Sequence, residues 1–151
     1  RWGGPPAQVA ICYEIANGTA LARAAAEGGQ WILAAANLDP YPLLLQQQFL
    51  ALAQLRSVET ARPLVSVANT GPTAAINAEG QLLSRLPAMR SGLLNVRVQP
   101  SAVVTPYARL REWPLVGILL IAAAMLFRLR SGSDHPPEPR HRRRTPPPAQ
   151  E

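Results

Sequence analysis

Short apolar runs separated by turn residues fill the first hundred positions, and one long apolar run follows them. Val9 to Cys12 is a short run suited to a buried strand. Ala20 to Glu27 is alanine-rich and favours helix, and Gly28-Gly29 ends it with residues that tolerate a left-handed cap. Trp31 to Ala35 is the next strand. Pro42 stands where a helix can begin, because the first helical N–H needs no partner within the helix. From Leu43 to Thr60, Leu45, Phe49, Leu52, Leu55 and Val58 recur at helical spacing, which predicts that they form the core face, with Gln46, Gln47, Gln54 and Arg56 on other faces. Leu64 to Ala68 and Thr73 to Ile76 are β-rich and joined by the turn cluster Asn69-Thr70-Gly71-Pro72. Asn77 to Gly80 is a hairpin turn into Gln81 to Leu86, and Gly92 to Val98 is a last strand. Helices between some strands and a hairpin between others predict an α/β unit over residues 1–105 with a mixed sheet.

Residues 106–130 change character. The stretch Trp113 to Phe127 is apolar and uncharged, and as a helix it extends about 22 Å. A bilayer core asks for roughly 17–25 residues, and Trp113 at one interface with Arg128 and Arg130 snorkelling at the other makes up the difference. A buried core helix is the competing reading, but the run has no polar face. The segment is therefore predicted to be a juxtamembrane stretch and one transmembrane helix. Arginine on its C-terminal side leaves the tail cytoplasmic and the preceding domain outside. Residues 131–151, SGSDHPPEPRHRRRTPPPAQE, are rich in proline and arginine without an apolar face, and are predicted to be a disordered basic tail.

Composition adds two facts. The 15 basic residues all prove to be arginine, against 9 acidic ones, for a net charge of +6. The chain has no lysine. The RHRRR cluster could bind nucleic acid, but beside a span it is better read as an anchor for anionic lipid head groups, so no nucleic-acid partner is expected. His135 and His141 lie in the flexible tail and are read as solvated side chains, not metal ligands. The chain opens on Arg1 and is read as a piece of a longer product.

The one cysteine, Cys12, sits in AQVAICYEIANG. A lone cysteine in an apolar run is more often inert packing than a nucleophile. A nucleophile also needs a base and a group that stabilises the oxyanion. On a strand that continued past Cys12, Glu14 would share its face, and a carboxylate beside the sulfur repels a thiolate. A cation is missing, so residues 1–151 hold half a site.

Three blocks change this picture when they occur in order: ICYE, then AQLRSVETARPLVSVANTGPTAAINAEGQLLSRLP, then TPYARLREWPL before the apolar run. Over residues 8–127 the chain resembles the C-terminal third of the apolipoprotein N-acyltransferase family, within the nitrilase or carbon–nitrogen hydrolase superfamily. The resemblance implies the C-terminal part of an α-β-β-α sandwich carried on membrane helices, on the periplasmic side of a bacterial inner membrane. Cys12 would be the nucleophile of a Glu–Lys–Cys triad, with Tyr13 and Glu14 shaping the substrate pocket. It would take an acyl chain from a phospholipid as a thioester and pass it to the amino group of a lipoprotein's diacylglyceryl-cysteine. No cofactor is implied. The triad's Glu and Lys lie upstream in the family, in agreement with the absence of lysine here. The family's Ser-Asn-Asp-Ala-Trp-Phe-like loop is replaced by Ala36-Asn37-Leu38-Asp39-Pro40-Tyr41. The alternatives are an amidase relative using the same cysteine, which the apolar run and basic tail disfavour, and a non-catalytic membrane-anchored module in which Cys12 only packs.

Overall fold

The structure, a computed structural model, describes residues 3–131. All of the expected basic tail beyond Ser131, with His135 and His141, lies outside the described residues. The chain divides into a folded unit up to Pro114 and a second unit from Leu115 onward.

In the first unit, β1 (Ala7–Ile11), β2 (Trp31–Ala36), β3 (Leu64–Ala68), β4 (Thr73–Ile76) and β5 (Leu82–Leu86) form one sheet in that order. β1, β2 and β3 are parallel, and β4 and β5 are added antiparallel. The mixed sheet expected from the turn pattern is present. A single 3-10 helix (Cys12–Ala16) and α1 (Gly18–Ala26) join β1 to β2, and α2 (Leu43–Thr60) joins β2 to β3. These crossovers are what parallel neighbours require.

Register carries the core across the sheet. Gln8, Ile32, Leu64 and Ile76 form one row, and Ala10, Ala34, Ser66 and Ala74 the next. Both rows are buried, and Ile15, Leu21, Leu50 and Ala53 from the helical segments complete the core. On the opposite face of β1, Val9 and Ile11 are 56% and 62% exposed. One side of the sheet is thus apolar and open at its β1 edge.

Two expectations need correction. The stripe predicted as the core face of α2 is only partly so: Phe49 and Leu52 are half-buried against the core, Leu45, Leu55 and Val58 are exposed, and the fully buried positions are Gln46, Leu50, Ala53, Arg56, Ser57 and Thr60. Small residues let α2 approach the sheet, and the buried hydroxyls are satisfied within the helix, Ser57 donating to the Ala53 carbonyl and Thr60 to that of Arg56. Gly92 to Val98 is likewise not a strand. Leu94, Val96 and Val98 are half-buried and alternate with exposed Leu93, Asn95 and Arg97, the two-residue period of an extended chain. No strand among the described residues pairs with it, and a strand exists only through a partner's hydrogen bonds.

Arg62 ties down the chain that follows this segment, at Val103. Its side chain is 1% exposed, and all of its acceptors are main-chain carbonyls: Gly29 for Nε, Val103 and Ala61 for Nη1, Ala25 for Nη2. The Ala25 and Gly29 carbonyls lie at the C-terminal end of α1, where unpaired carbonyls gather and the helix dipole favours a cation. Burial holds its pKa below the ordinary guanidinium value.

The helix α4 (Trp113–Ser131), which supplies the second unit from Leu115 on, has a mean hydropathy of 1.7 over Trp113–Arg130, and none of that window is buried. Its 19 residues extend about 28 Å, close to the roughly 30 Å hydrocarbon thickness. By length and composition it can cross a membrane.

Arg62→Met is expected to destabilise the intact protein by about 3 kcal/mol, because it removes the donor that joins the Ala25, Gly29 and Val103 carbonyls. Denaturant unfolding of the two proteins in detergent measures this, and a difference within about 0.5 kcal/mol, the range of neutral surface changes, contradicts it.

Candidate active site

β1 delivers Cys12 to the end of the sheet's parallel half, and the strand stops there. Cys12 has φ 53°, in the left-handed region that costs an L-residue about 1–2 kcal/mol. The chain then coils into the 3-10 helix, so Glu14 does not share a strand face with Cys12 as a continued strand would require. Its carboxylate instead accepts the Ile11 N–H at 2.7 Å. An acidic side chain in the first turn satisfies an otherwise orphan donor and favours the positive end of the helix dipole. Ile15 plugs the core beneath the turn, and Tyr13 stands out at 76% exposed.

Cys12 and Tyr13 border a cavity of about 200 Å³ whose other walls come from the loop after β2 and from α2. Leu38 and Tyr41 supply the loop side, and Leu45, Phe49 and Leu52 the helix side. These last three belong to the apolar stripe expected in the core. Phe49 and Leu52 are half-buried against the core, and with exposed Leu45 they also line the cavity beside the sulfur. Glu14 is not among the residues that border the cavity.

The loop is fastened at several points. The Asn69 side chain accepts the Leu38 N–H at 3.0 Å and donates to Asn37 Oδ1 at 2.8 Å. The Gln46 amide, buried in the first turns of α2, donates to the carbonyls of Leu38 and Tyr41 at 3.1 and 3.0 Å. At Gly71 a Cβ would run into Leu38, so the ANTGP turn also sets the loop's height.

On the far side of the turn, Arg56 donates from Nε to the Ile15 carbonyl at 3.0 Å and from Nη2 to that of Ala16 at 3.3 Å, while Nη1 pairs with Glu59. A Cβ at Gly18 would collide with the Arg56 guanidinium. Further along, Thr19 Oγ1 and the Tyr107 hydroxyl, from α3 (Pro106–Leu110), both donate to Glu112 Oε1, the latter at 3.1 Å. The Thr19 hydrogen bond leads in holding the Glu112 carboxyl below the usual carboxylate range. Burial, and then the bond to Glu112, hold the Tyr107 hydroxyl above its ordinary value.

No described residue makes a hydrogen bond to the Cys12 sulfur, and the chain has no lysine to stand near it. Among the described residues there is no cluster of three metal-ligating side chains. The arrangement presents a half-exposed thiol at the head of a strained turn, over a cavity walled largely by carbon. Sequence reasoning singled out Cys12, Tyr13 and Glu14, of which the first two border the cavity and Glu14 does not. The same reasoning missed the cavity walls and Arg56, although the spacing of Leu45, Phe49 and Leu52 had marked a coherent face.

Residues 3–107 match the profile of the family described as carbon-nitrogen hydrolase. The chain belongs to the carbon–nitrogen hydrolase family. Within it, the chain is 54% identical over 126 residues to the apolipoprotein N-acyltransferase of Prochlorococcus marinus strain MIT 9313, covering 83% of this chain and 25% of that protein. It is 33% identical over 124 residues to the protein of the same name from Pseudomonas paraeruginosa, covering 80% and 24%. The chain spans about a quarter of the length of these curated relatives. Among solved structures, a mutant of the Nesterenkonia sp. AN1 amidase with an acetamide moiety added at its active-site cysteine superposes with a TM-score of 0.55 at 25% identity, over 78% of this chain and 45% of that one. Another mutant of this nitrilase-superfamily amidase gives 0.58 at 23% identity, over 79% and 46%. The resemblance read from the three sequence blocks is therefore met by both family and relatives, and the mixed α/β fold is that of the nitrilase superfamily.

The depressed Glu112 carboxyl fixes the sign of a pH effect. Its contribution to stability is present above the unfolded carboxylate value of about 4.3 and is lost as pH falls through the lower folded value. Thermal midpoints of the intact protein and of Glu112→Gln are expected to converge on acidification below about pH 4.3. A gap that stays constant through that range contradicts the assignment.

Proposed function

We propose that this chain is the C-terminal part of an apolipoprotein N-acyltransferase in which Cys12 carries the acyl group. The observation that supports it most is the pairing of a left-handed Cys12 turn with a carbon-walled cavity, in a chain 54% identical to a relative of that name. The Cys12 thiolate attacks the ester carbonyl of a phospholipid, the ester C–O bond breaks, and the departing alkoxide takes a proton to leave as a lysophospholipid. The acyl chain is then held as a thioester. The amino group of a diacylglyceryl-cysteine attacks that carbonyl, the C–S bond breaks, and the acceptor loses a proton as the amide forms. A thiol serves both halves because its thiolate is a strong nucleophile and a good leaving group.

The base and the cation that this chemistry needs are assigned, as in the family, to a Glu and a Lys upstream of Arg1. The open apolar face of β1 is where the other half of an α-β-β-α sandwich would pack. Residues 1–105 then form the C-terminal part of the catalytic domain, residues 106–130 a juxtamembrane segment and span, and residues 131–151 a cytoplasmic tail, with the domain on the periplasmic side of the inner membrane. Tyr13, exposed at the cavity mouth, borders the substrate, and Glu14 acts on the pocket through the turn it closes. An amidase acting on carbon–nitrogen bonds with the same cysteine is the competing reading, favoured by the likeness to the Nesterenkonia amidase. The length and apolarity of α4 favour the lipid-handling one.

In membranes holding the full-length protein, Cys12→Ala is expected to lower N-acylation of a diacylglyceryl peptide about a thousandfold or more. Purified residues 1–151 are expected to show none. An unchanged rate in the variant, or turnover by the piece, overturns the proposal.

A further inference from the structure

Arg56 is buried on α2, far along the chain from the turn it touches, and its three guanidinium nitrogens are all engaged. Two of them hold Ile15 and Ala16, the closing carbonyls of the 3-10 helix that begins with Cys12. Such terminal carbonyls have no partner within the helix, and a planar fork reaches two of them with little loss of side-chain freedom. The third nitrogen is occupied by Glu59, whose own backbone carbonyl accepts the Thr105 hydroxyl. The slot is closed on the α1 side, where Gly18 has no space for a Cβ against the guanidinium. The turn is therefore gripped at both ends, by Glu14 on the Ile11 N–H and by Arg56 on the last carbonyls. Between these grips Cys12 keeps a left-handed backbone that a cysteine would otherwise leave.

We infer that Arg56 is a positioning residue for the nucleophile, with Glu59 orienting it: together they hold the Cys12 turn so that the sulfur borders the cavity. The inference rests on Cys12 being the acyl carrier. Arg56 touches no reacting atom and acts only through the turn.

The test uses the full-length protein in detergent with Arg56→Met, Arg56→Lys and Glu59→Gln, and with the core truncation Leu64→Ala as a stability control. One measurement needs no lipid: the rate at which iodoacetamide alkylates Cys12, followed by the mass of the Cys12 peptide. The other is kcat and KM with a phospholipid donor. Arg56→Met is expected to slow alkylation and kcat about tenfold or more while KM moves less than about twofold. Arg56→Lys recovers part of the loss, Glu59→Gln falls between, and Leu64→Ala alkylates at the parental rate despite its lower unfolding midpoint. Alkylation of Arg56→Met at the parental rate overturns the inference, and so does an equal slowing in Leu64→Ala. If the parent alkylates rapidly but accepts no acyl group from phospholipid, the acyltransferase reading falls, and the alkylation rates alone decide the role of Arg56.

Discussion

A cysteine held with a left-handed backbone at the end of a parallel strand is the constraint on which the site depends. At φ 53° the residue gives up about 1–2 kcal/mol relative to ordinary backbone, and such a cost persists only where the surroundings over-determine it. Here they do. Ile15 anchors the turn in the core, Glu14 closes its start, and Arg56 closes its end. Turning sharply at Cys12 lifts the sulfur out of the sheet and leaves it beside a cavity. Had the strand run on, the alternation of side chains would have sent Cys12 to one face of the sheet with Glu14 next to it.

α2 serves the site twice. Its buried side is small and polar, close against the sheet, and carries Arg56 to the turn. Its neighbouring side bears Leu45, Phe49 and Leu52, which wall the cavity, and Gln46 between the two fastens the loop that supplies Leu38 and Tyr41. One helix thereby fixes the sulfur, the cavity and the loop relative to one another. An acyl chain is the kind of group such walls accommodate, since burying methylenes against carbon is favourable and asks for no polar partner.

Much of the framework was legible before any coordinates. The turn clusters at Asn69 to Pro72 and Asn77 to Gly80, and Pro42 at the head of α2, announced their elements through local chemistry that tertiary packing did not override. What failed depended on partners distant in sequence. Periodicity gives the faces of a helix but not which face meets the sheet, and the buried stripe of α2 includes Gln46, Ser57 and Thr60, polar residues whose bonds to main-chain carbonyls permit their burial. Leu94, Val96 and Val98 alternate as a strand does, but alternation cannot supply the neighbour. Cys12 stood out as a candidate nucleophile only through the order of sequence blocks around it, because a lone cysteine in an apolar run carries no signal of its own. The grip of Arg56 on its turn joins α2 to residues about forty positions earlier and left no local trace.

A covalent acyl group on Cys12 is the central intermediate of the proposed reaction. The full-length protein, incubated with phospholipid carrying an isotopically labelled acyl chain and no acceptor, should yield a Cys12 peptide heavier by that acyl group, and neutral hydroxylamine should remove it as it does a thioester. A Cys12 peptide that stays unmodified while the label reaches an acceptor lipopeptide would contradict the account at its centre.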